Sequence, residues 1–272
     1  MTAEGTDGMV ETQVTQTEEE KTGALVGRLF EAALGAVDIV SVYVGDRLGL
    51  YRALAEEGGS TSTELASRAG IHERYAREWL EQQAVTGILE VDEVARSEGE
   101  RRYSLPPAHA EALINLDSMF SISPLGRAFV SAIQALPQIM EAFRTGEGVP
   151  WSDFGPDMIE SQGDFNRAWV LALLGTEYLP RVADVHARLQ ADPPARVADM
   201  ACGVGWASIA IARAYPGVTV DGFDPDEHSI GIARRLAEGG RPGRPDPVRG
   251  SGRGHPGSGA TVRPRHRDRI DP

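Results

Sequence analysis

The sequence is poor in cysteine, in lysine and in long apolar segments. Cys202 is the only cysteine, which excludes an internal disulfide. The first twenty residues contain no Lys or Arg, so no secretory signal is expected there. The most apolar stretch, residues 24–44, is interrupted by Arg28, Glu31 and Asp38, so no membrane span is expected. These absences favour a protein of the cytoplasm.

Basic residues are outnumbered by acidic ones. The chain has 27 Lys and Arg against 40 Asp and Glu, a net charge of −13 at pH 7. This balance disfavours DNA, RNA or an anionic membrane as the main partner, because phosphates would be repelled. The six histidines show no ligand spacing, so no metal site is predicted. A chain of 272 residues that is 41% hydrophobic can form a globular core. The expected ligand of such a chain, given its charge, is a small molecule.

The N-terminal third predicts a disordered lead followed by a helical domain. Residues 1–20 hold six acids and no base, a composition typical of disorder. From Leu25 to Leu48 apolar residues recur at spacings of three and four, which predicts a long helix. Gly45 and Gly49 argue against one unbroken helix. We place the domain at residues 21–106.

Two short helices and two short strands follow within this domain. Thr61 and Glu64 form a capping box that begins a helix ending at Gly70, and a second helix is predicted over about 73–86. Residues 87–91 and 102–105 predict two strands around a polar hairpin. The order is that of a winged helix.

DNA binding is the first interpretation of a winged helix, but the charge argues against it. Residues 61–104 carry six Arg against nine acids, and the second helix places Glu73, Glu78 and Glu81 beside Arg74 and Arg77. We therefore expect no nucleic-acid partner.

Residues 107–190 predict helices. The apolar periodicity covers Phe120–Phe143, Asp164–Leu179 and Val182–Leu189, and this part is interpreted as a linker and substrate-cavity region. The glycine-hinged loop 146–155 is either a cover over the substrate or a packed surface turn. Candidate substrate-lining side chains are Trp151, Trp169 and Tyr178.

The most informative motif lies at residues 197–208. An apolar strand ends in Asp199, Gly203 and Gly205 permit a turn that a ligand can approach closely, and residues 208–212 open a helix. A second strand, 218–224, ends in Asp224, 25 residues beyond Asp199. In a βαβ unit both strand ends open on one crevice, so Asp224 can accept hydrogen bonds from ribose hydroxyls. The pattern predicts a nucleotide site.

This pattern, D-x-A-C-G-x-G followed by a strand ending in Gly222-Phe223-Asp224, resembles the class I S-adenosylmethionine (SAM)-dependent methyltransferases. Ala201 stands where the family usually has its first glycine. The resemblance implies that Asp199, Ala201, Gly203, Gly205 and Asp224 bind SAM, and that the methyl acceptor is a small molecule, methylated at oxygen. NAD or FAD binding and a purely structural turn are the alternatives, although Ser208 replaces the third small residue of a dinucleotide fingerprint.

The winged helix extends this resemblance to the O-methyltransferase-like group, in which such a domain pairs two subunits. A homodimer through the N-terminal helices is therefore expected. The fold class is α/β: a mostly helical winged-helix domain, followed by an incomplete Rossmann-like class I methyltransferase domain that begins in residues 191–240. No catalytic residue is identified.

The last segment, residues 241–272, does not continue this domain. From Gly239 onward the chain has eight Gly, six Pro, eight Arg and four apolar residues, which predicts disorder. Shifting the reading frame by one base makes 242–250 and 261–271 resemble the third and fourth strands, so a frameshift near Gly240 is expected. A bare edge on strand 196–200 and loss of activity follow. The alternatives are an ordinary basic tail, a winged-helix regulator with a degenerate SAM domain, and a dimerising remnant.

Overall fold

The computed structural model describes residues 17–56, 58–92, 94, 96–239 and 260–262. The chain divides into two compact units after Asp38. Most of the lead, residues 1–16, lies outside the described residues. No described helix combines the length and the apolar character that crossing a membrane requires.

Helix α1 spans Glu18–Arg47 without a break. It begins with a capping box, in which the Glu20 amide donates to the Thr17 hydroxyl and the Glu20 carboxylate accepts from the Thr17 amide. The expected break is present at Gly49, which has a φ of 69° and lies between this helix and the next, but Gly45 does not interrupt α1. A Cβ at residue 45 would lie 2.5 Å from the Tyr51 ring, so glycine serves packing there and the helix continues to Arg47.

The winged helix is confirmed. Its elements are α2 (Leu50–Glu56), α3 (Ser62–Ala69), α4 (Glu73–Val85), β1 (Glu90–Val91) and β2 (Tyr103–Ser104). The capping box at Thr61 has both of its hydrogen bonds, and Gly70 ends α3 in the left-handed conformation. Strands β1 and β2 pair antiparallel, and Tyr103 also pairs with Ser60.

The core of the winged helix extends beyond Pro106. Its fully buried members include Leu54, Leu65, Leu80 and Tyr103, and Leu113 belongs to the same cluster. Leu113 lies on α5 (Pro107–Ile114). This helix therefore packs with the domain that precedes it.

Residues 124–189 are mainly helical, as the periodicity predicts. Of the predicted loop 146–155, residues 146–150 are irregular and the rest is helical. The elements are α6 (Pro124–Gln134), α7 (Leu136–Thr145), a 3₁₀ turn (Trp151–Phe154), α8 (Gly155–Trp169), a π-helical segment (Val170–Tyr178), a 3₁₀ turn (Leu179–Arg181) and α9 (Ala183–Leu189). The π-helical segment packs on α10 (Trp206–Ala214).

Two glycines let this helical region approach the C-terminal α/β half closely. A Cβ at Gly163 would lie 2.5 Å from Val204 Cγ2, and one at Gly175 would lie 2.3 Å from Ala214 Cβ. Neither distance is tolerated by real side chains, so both close contacts require glycine.

The predicted βαβ unit is present. Strand β3 (Arg196–Met200) pairs in parallel with β4 (Thr219–Asp224), α10 connects them, and α11 (Glu227–Ala237) follows. Within the described ranges the other edge of β3 has no partner strand, and Met200, on one face of the sheet, is 71% exposed. The sequence did not predict β5 (Ala260–Val262), which pairs antiparallel with β4. The rest of 241–272 lies outside the described residues.

Candidate functional site

The glycine turn, residues 201–205, connects β3 to α10. Gly203 and Gly205 have φ angles of 55° and 89°, in the region that favours glycine. No atom beyond its chain neighbours lies within 4 Å of an ideal Cβ on Gly203, so the turn leaves open space at that point. Helix α10 begins directly after Gly205 with no side-chain cap. Its first amides are therefore not satisfied by a capping side chain.

Ala201 also has a positive φ, 58°, and among the described residues it is the one non-glycine that does. An L-residue pays about 1–2 kcal/mol for this conformation. An alanine in place of glycine is expected to narrow the turn slightly. The geometry adds that its cost is backbone strain, because the Ala201 side chain is exposed.

Asp224 is bound directly to the glycine turn. Its carboxylate accepts hydrogen bonds from the Gly203 amide at 2.8 Å and from the Asp226 amide at 2.9 Å. A hydrogen bond thus joins the two predicted parts of the site, the glycine turn and the acid at the end of β4. Each carboxylate oxygen has two lone pairs, so this side chain can still accept from a ligand hydroxyl.

Asp199, at the end of β3, accepts a hydrogen bond from the Ser208 hydroxyl at 2.7 Å. Asp199 pairs with Gly222 in the parallel register, two residues before Asp224. The five predicted cofactor residues therefore lie at the carboxyl ends of two neighbouring strands and in the turn between them. That is where ligands bind in open α/β sheets.

The pKa of the Cys202 thiol reflects the negative charge of this site. Burial, followed by the nearby carboxylates of Asp199 and Asp224, raises the pKa of its thiol to about 11. The thiol is therefore protonated at neutral pH and is no nucleophile. The same two carboxylates make the site attractive to a cation.

Sequence reasoning missed two side chains of the site. Asp226 caps α11 by accepting from the Ser229 amide at 2.6 Å, and Ser208 holds Asp199. The cap has a local signature, an aspartate three residues before a serine at a helix start. The Ser208 contact has none, because it depends on how α10 lies over β3.

The three aromatic substrate candidates form two separate pairs. Trp169 and Tyr178 have ring centroids 6.2 Å apart, whereas Trp151 pairs with Phe154 at 6.1 Å. The π-helical segment explains the first pair. With i→i+5 bonds and about 4.4 residues per turn, residues nine apart share a face, which an α-helix would place on opposite sides.

The arginines of α4 are paired with neighbouring acids. Arg74 lies 3.7 Å from Glu78, and Arg77 lies 3.6 Å from Glu73 and pairs with Glu98 as well. Phosphate contacts would have to compete with these ion pairs.

No metal cluster is formed: nowhere in the part of the chain that the structure describes do three His, Cys, Asp or Glu side chains gather suitably.

Comparison with known families identifies the N-terminal part. Residues 35–115 match the model of the Rv2258c-like winged HTH domain. This match covers less than half of the chain. No curated protein matches the sequence.

Solved structures similar to this chain include three methyltransferases. Mitomycin 7-O-methyltransferase MmcR has a TM-score of 0.55 and 21% identity over 80% of this chain and 63% of its own. For human N-acetylserotonin methyltransferase in complex with SAM the TM-score is 0.53 and the identity is 17%, over 82% of this chain and 64% of that one. For an O-methyltransferase family protein from Burkholderia thailandensis the TM-score is 0.50 and the identity is 16%, over 83% of this chain and 61% of that one.

These similarities define the class of fold. The chain has the fold of SAM-dependent O-methyltransferases with an N-terminal winged helix, which confirms the predicted fold class. It spans less than two thirds of the length of these solved structures.

Proposed function

We propose that this chain binds SAM at the glycine turn and is part of a methyltransferase that acts on a small molecule. The observation that carries the proposal is the bond between the Gly203 amide and the Asp224 carboxylate, which joins the turn and the strand-end acid into one site. Asp224 ends the second parallel strand beside the glycine turn, which is the position from which an acid binds ribose hydroxyls in dinucleotide-binding α/β folds.

The residues present suit the cofactor. Open space beside Gly203 and uncapped amides at the start of α10 leave room and donors for the methionine carboxylate. Asp224 would accept from the ribose hydroxyls, and Asp199 would orient the methionine part through the turn amides or water. Bound SAM would supply an electrophilic methyl group on a positively charged sulfur, which the two carboxylates favour.

The acceptor is proposed to be a small molecule methylated at oxygen, on the basis of the O-methyltransferases that share the fold. Trp151, Trp169 and Tyr178 remain the candidate substrate side chains. Their exposed fractions of 38–44% leave ring faces available to a ligand. Holding the acceptor oxygen close to the methyl group is the main contribution such a site makes.

A homodimer in the cytoplasm is proposed for the whole protein. One unit of the chain supports it directly: α1 exposes apolar side chains that recur at spacings of one, three and four. These are Leu25, Val26, Leu29, Phe30, Leu34 and Val37, each at least 47% exposed. A second copy could cover such a stripe. Light scattering of the intact chain and of a Leu29→Glu/Phe30→Glu variant would test it, since only the former should be dimeric.

The frameshift remains a proposal of its own. It rests on the composition of 241–272, and it predicts that the gene carries an added or lost base near codon 240. Resequencing the DNA from codon 235 onward tests it, and an unaltered frame would contradict it.

Calorimetric titration with SAM tests the binding proposal. We expect Asp224→Asn to weaken SAM binding at least about tenfold, since a charged acceptor for two hydroxyls is worth about 1.5–3 kcal/mol. Glu227→Gln removes a neighbouring exposed charge and serves as the matched control. Unchanged affinity in a folded Asp224→Asn variant would overturn the assignment.

A further inference from the structure

A buried arginine forms ion pairs with three acidic side chains between α1, α6 and α8. Arg127 on α6 is 4% exposed, and its guanidinium lies 3.1 Å from Asp46, 2.6 Å from Asp164 and 3.8 Å from Glu160. Burial raises the pKa of Asp46 and of Asp164, although Arg127 opposes that effect. We call these four residues the Arg127 cluster. It anchors α8 to α1 and α6.

One member of the cluster continues toward the proposed cofactor site. Glu160 also faces His228 on α11, with 3.6 Å between Oε1 and Nε2. His228 stands two residues after Asp226, which caps α11, and the Asp226 amide donates to Asp224. Asp224 in turn accepts from the Gly203 amide. These contacts, together with the backbone from Asp226 to His228, connect the Arg127 cluster to the glycine turn.

The charges around His228 favour its protonated form. The hydrogen bond with Glu160 raises the pKa of His228 above 6.5, Asp226 adds to this, and partial burial and Arg235 oppose it. The charged groups that act on His228 are thus Glu160 from α8, Asp226 from the start of α11 and Arg235 from α11 itself, and β5 has no ionisable residue. Burial works to raise the pKa of Glu160, but His228 and Arg127 hold it below 4.5.

We propose that His228, held by Glu160, is a positioning residue that fixes the start of α11, and with it Asp224 and the Gly203 amide, for cofactor binding. The inference rests on the proposed SAM site. The imidazolium–carboxylate pair forms where His228 is protonated and Glu160 is ionised. Because the pKa of His228 is raised, the pair is complete near pH 6 and is lost as pH rises through that pKa. We call this ion pair between His228 and Glu160 the tether; at alkaline pH it is lost and the start of α11 is held less firmly.

The test is the pH profile of SAM affinity, measured by calorimetry between pH 6 and pH 9. For a partly exposed ion pair we expect wild-type affinity to fall about two- to fivefold over this range beyond the change in His228→Gln. The Gln variant should bind with the weaker affinity throughout. His228→Arg keeps a permanent charge and should stay tight at pH 9, which a role in packing alone would not produce. Glu227→Gln, an exposed neighbour, should follow wild type.

Parallel profiles for wild type and His228→Gln would overturn the positioning role. If wild type binds no SAM at any pH, the proposed function fails, and the tether is then judged without ligand. Amide hydrogen exchange at Gly203 and along α11, corrected for intrinsic rates, should be faster in His228→Gln than in wild type at pH 6 and equal at pH 9. Equal protection at both pH values would refute the coupling.

Discussion

Replacing Ala201 with glycine should stabilise the protein. The left-handed backbone at φ 58° costs an alanine about 1–2 kcal/mol, and glycine would remove that cost. Glycine loses about 0.5–1 kcal/mol more backbone entropy on folding, which offsets part of the gain. Since the Ala201 side chain is exposed, little packing is lost with its methyl group. A net gain of about 0.5–1 kcal/mol remains.

Gly203→Ala provides the opposite change in the same turn. Its φ of 55° almost equals that of Ala201, and the new Cβ would meet open space, so strain is again the dominant effect. We expect destabilisation of similar size to the gain in Ala201→Gly. Both substitutions leave the net charge unchanged.

Urea unfolding followed by circular dichroism gives the two free energies, and thermal melts should differ by about 1–4 °C in opposite directions. Two results would refute the reasoning. One is a neutral or destabilising Ala201→Gly, and the other is a Gly203→Ala that unfolds at the wild-type midpoint.

Three further outcomes follow from packing and charge. Cys202 should react with iodoacetamide far more slowly than a free thiol at pH 7.5 and accelerate only as pH approaches its pKa of about 11; rapid alkylation of the native protein would contradict this. Arg127→Met should cost about 3–5 kcal/mol in urea unfolding at pH 7, because it leaves buried carboxylates unpaired. The cost should fall as pH is lowered, because burial raises the pKa of Asp46 and of Asp164 and their protonation removes the unpaired charge. The exposed pair of Arg181 makes Arg181→Met a control with little effect. Gly175→Ala should cost about 1–3 kcal/mol through its clash with Ala214, and adding Ala214→Gly should recover part of the loss; purely additive effects would exclude the contact.

The elements that the sequence predicted well are those specified by local rules. The capping box at Thr61, the strand–turn–helix around Gly203 and the acid ending β4 depend on backbone conformation within a few residues. The spacing of Asp199 and Asp224 then follows from βαβ geometry. The local sequence therefore predicts most of the candidate site.

The elements that sequence reasoning missed depend on contacts between distant segments. The segment Val170–Tyr178 has ordinary helical periodicity, which does not distinguish i→i+4 from i→i+5 bonding. Arg127 is one arginine on an amphipathic helix, and its acids come from α1 and α8. The residues around β5 are rich in Gly, Pro and Arg, a composition that predicts disorder. The sequence therefore contains no strand pattern from which the pairing of β5 with β4 could be predicted.

The close contacts at Gly163 and Gly175 bear on how this chain can be divided or recombined. Each glycine is matched to a side chain of the C-terminal α/β half, Val204 in one case and Ala214 in the other. A chimera joined at residue 191 would separate both matched pairs and bring a foreign helix against them. A junction before Gly155 would keep both pairs together, but it would separate Asp164 and Glu160 on α8 from Arg127 on α6. A module that keeps the glycine contacts therefore begins some forty residues ahead of the first parallel strand, and the half joined to it has to supply an arginine at the position of Arg127.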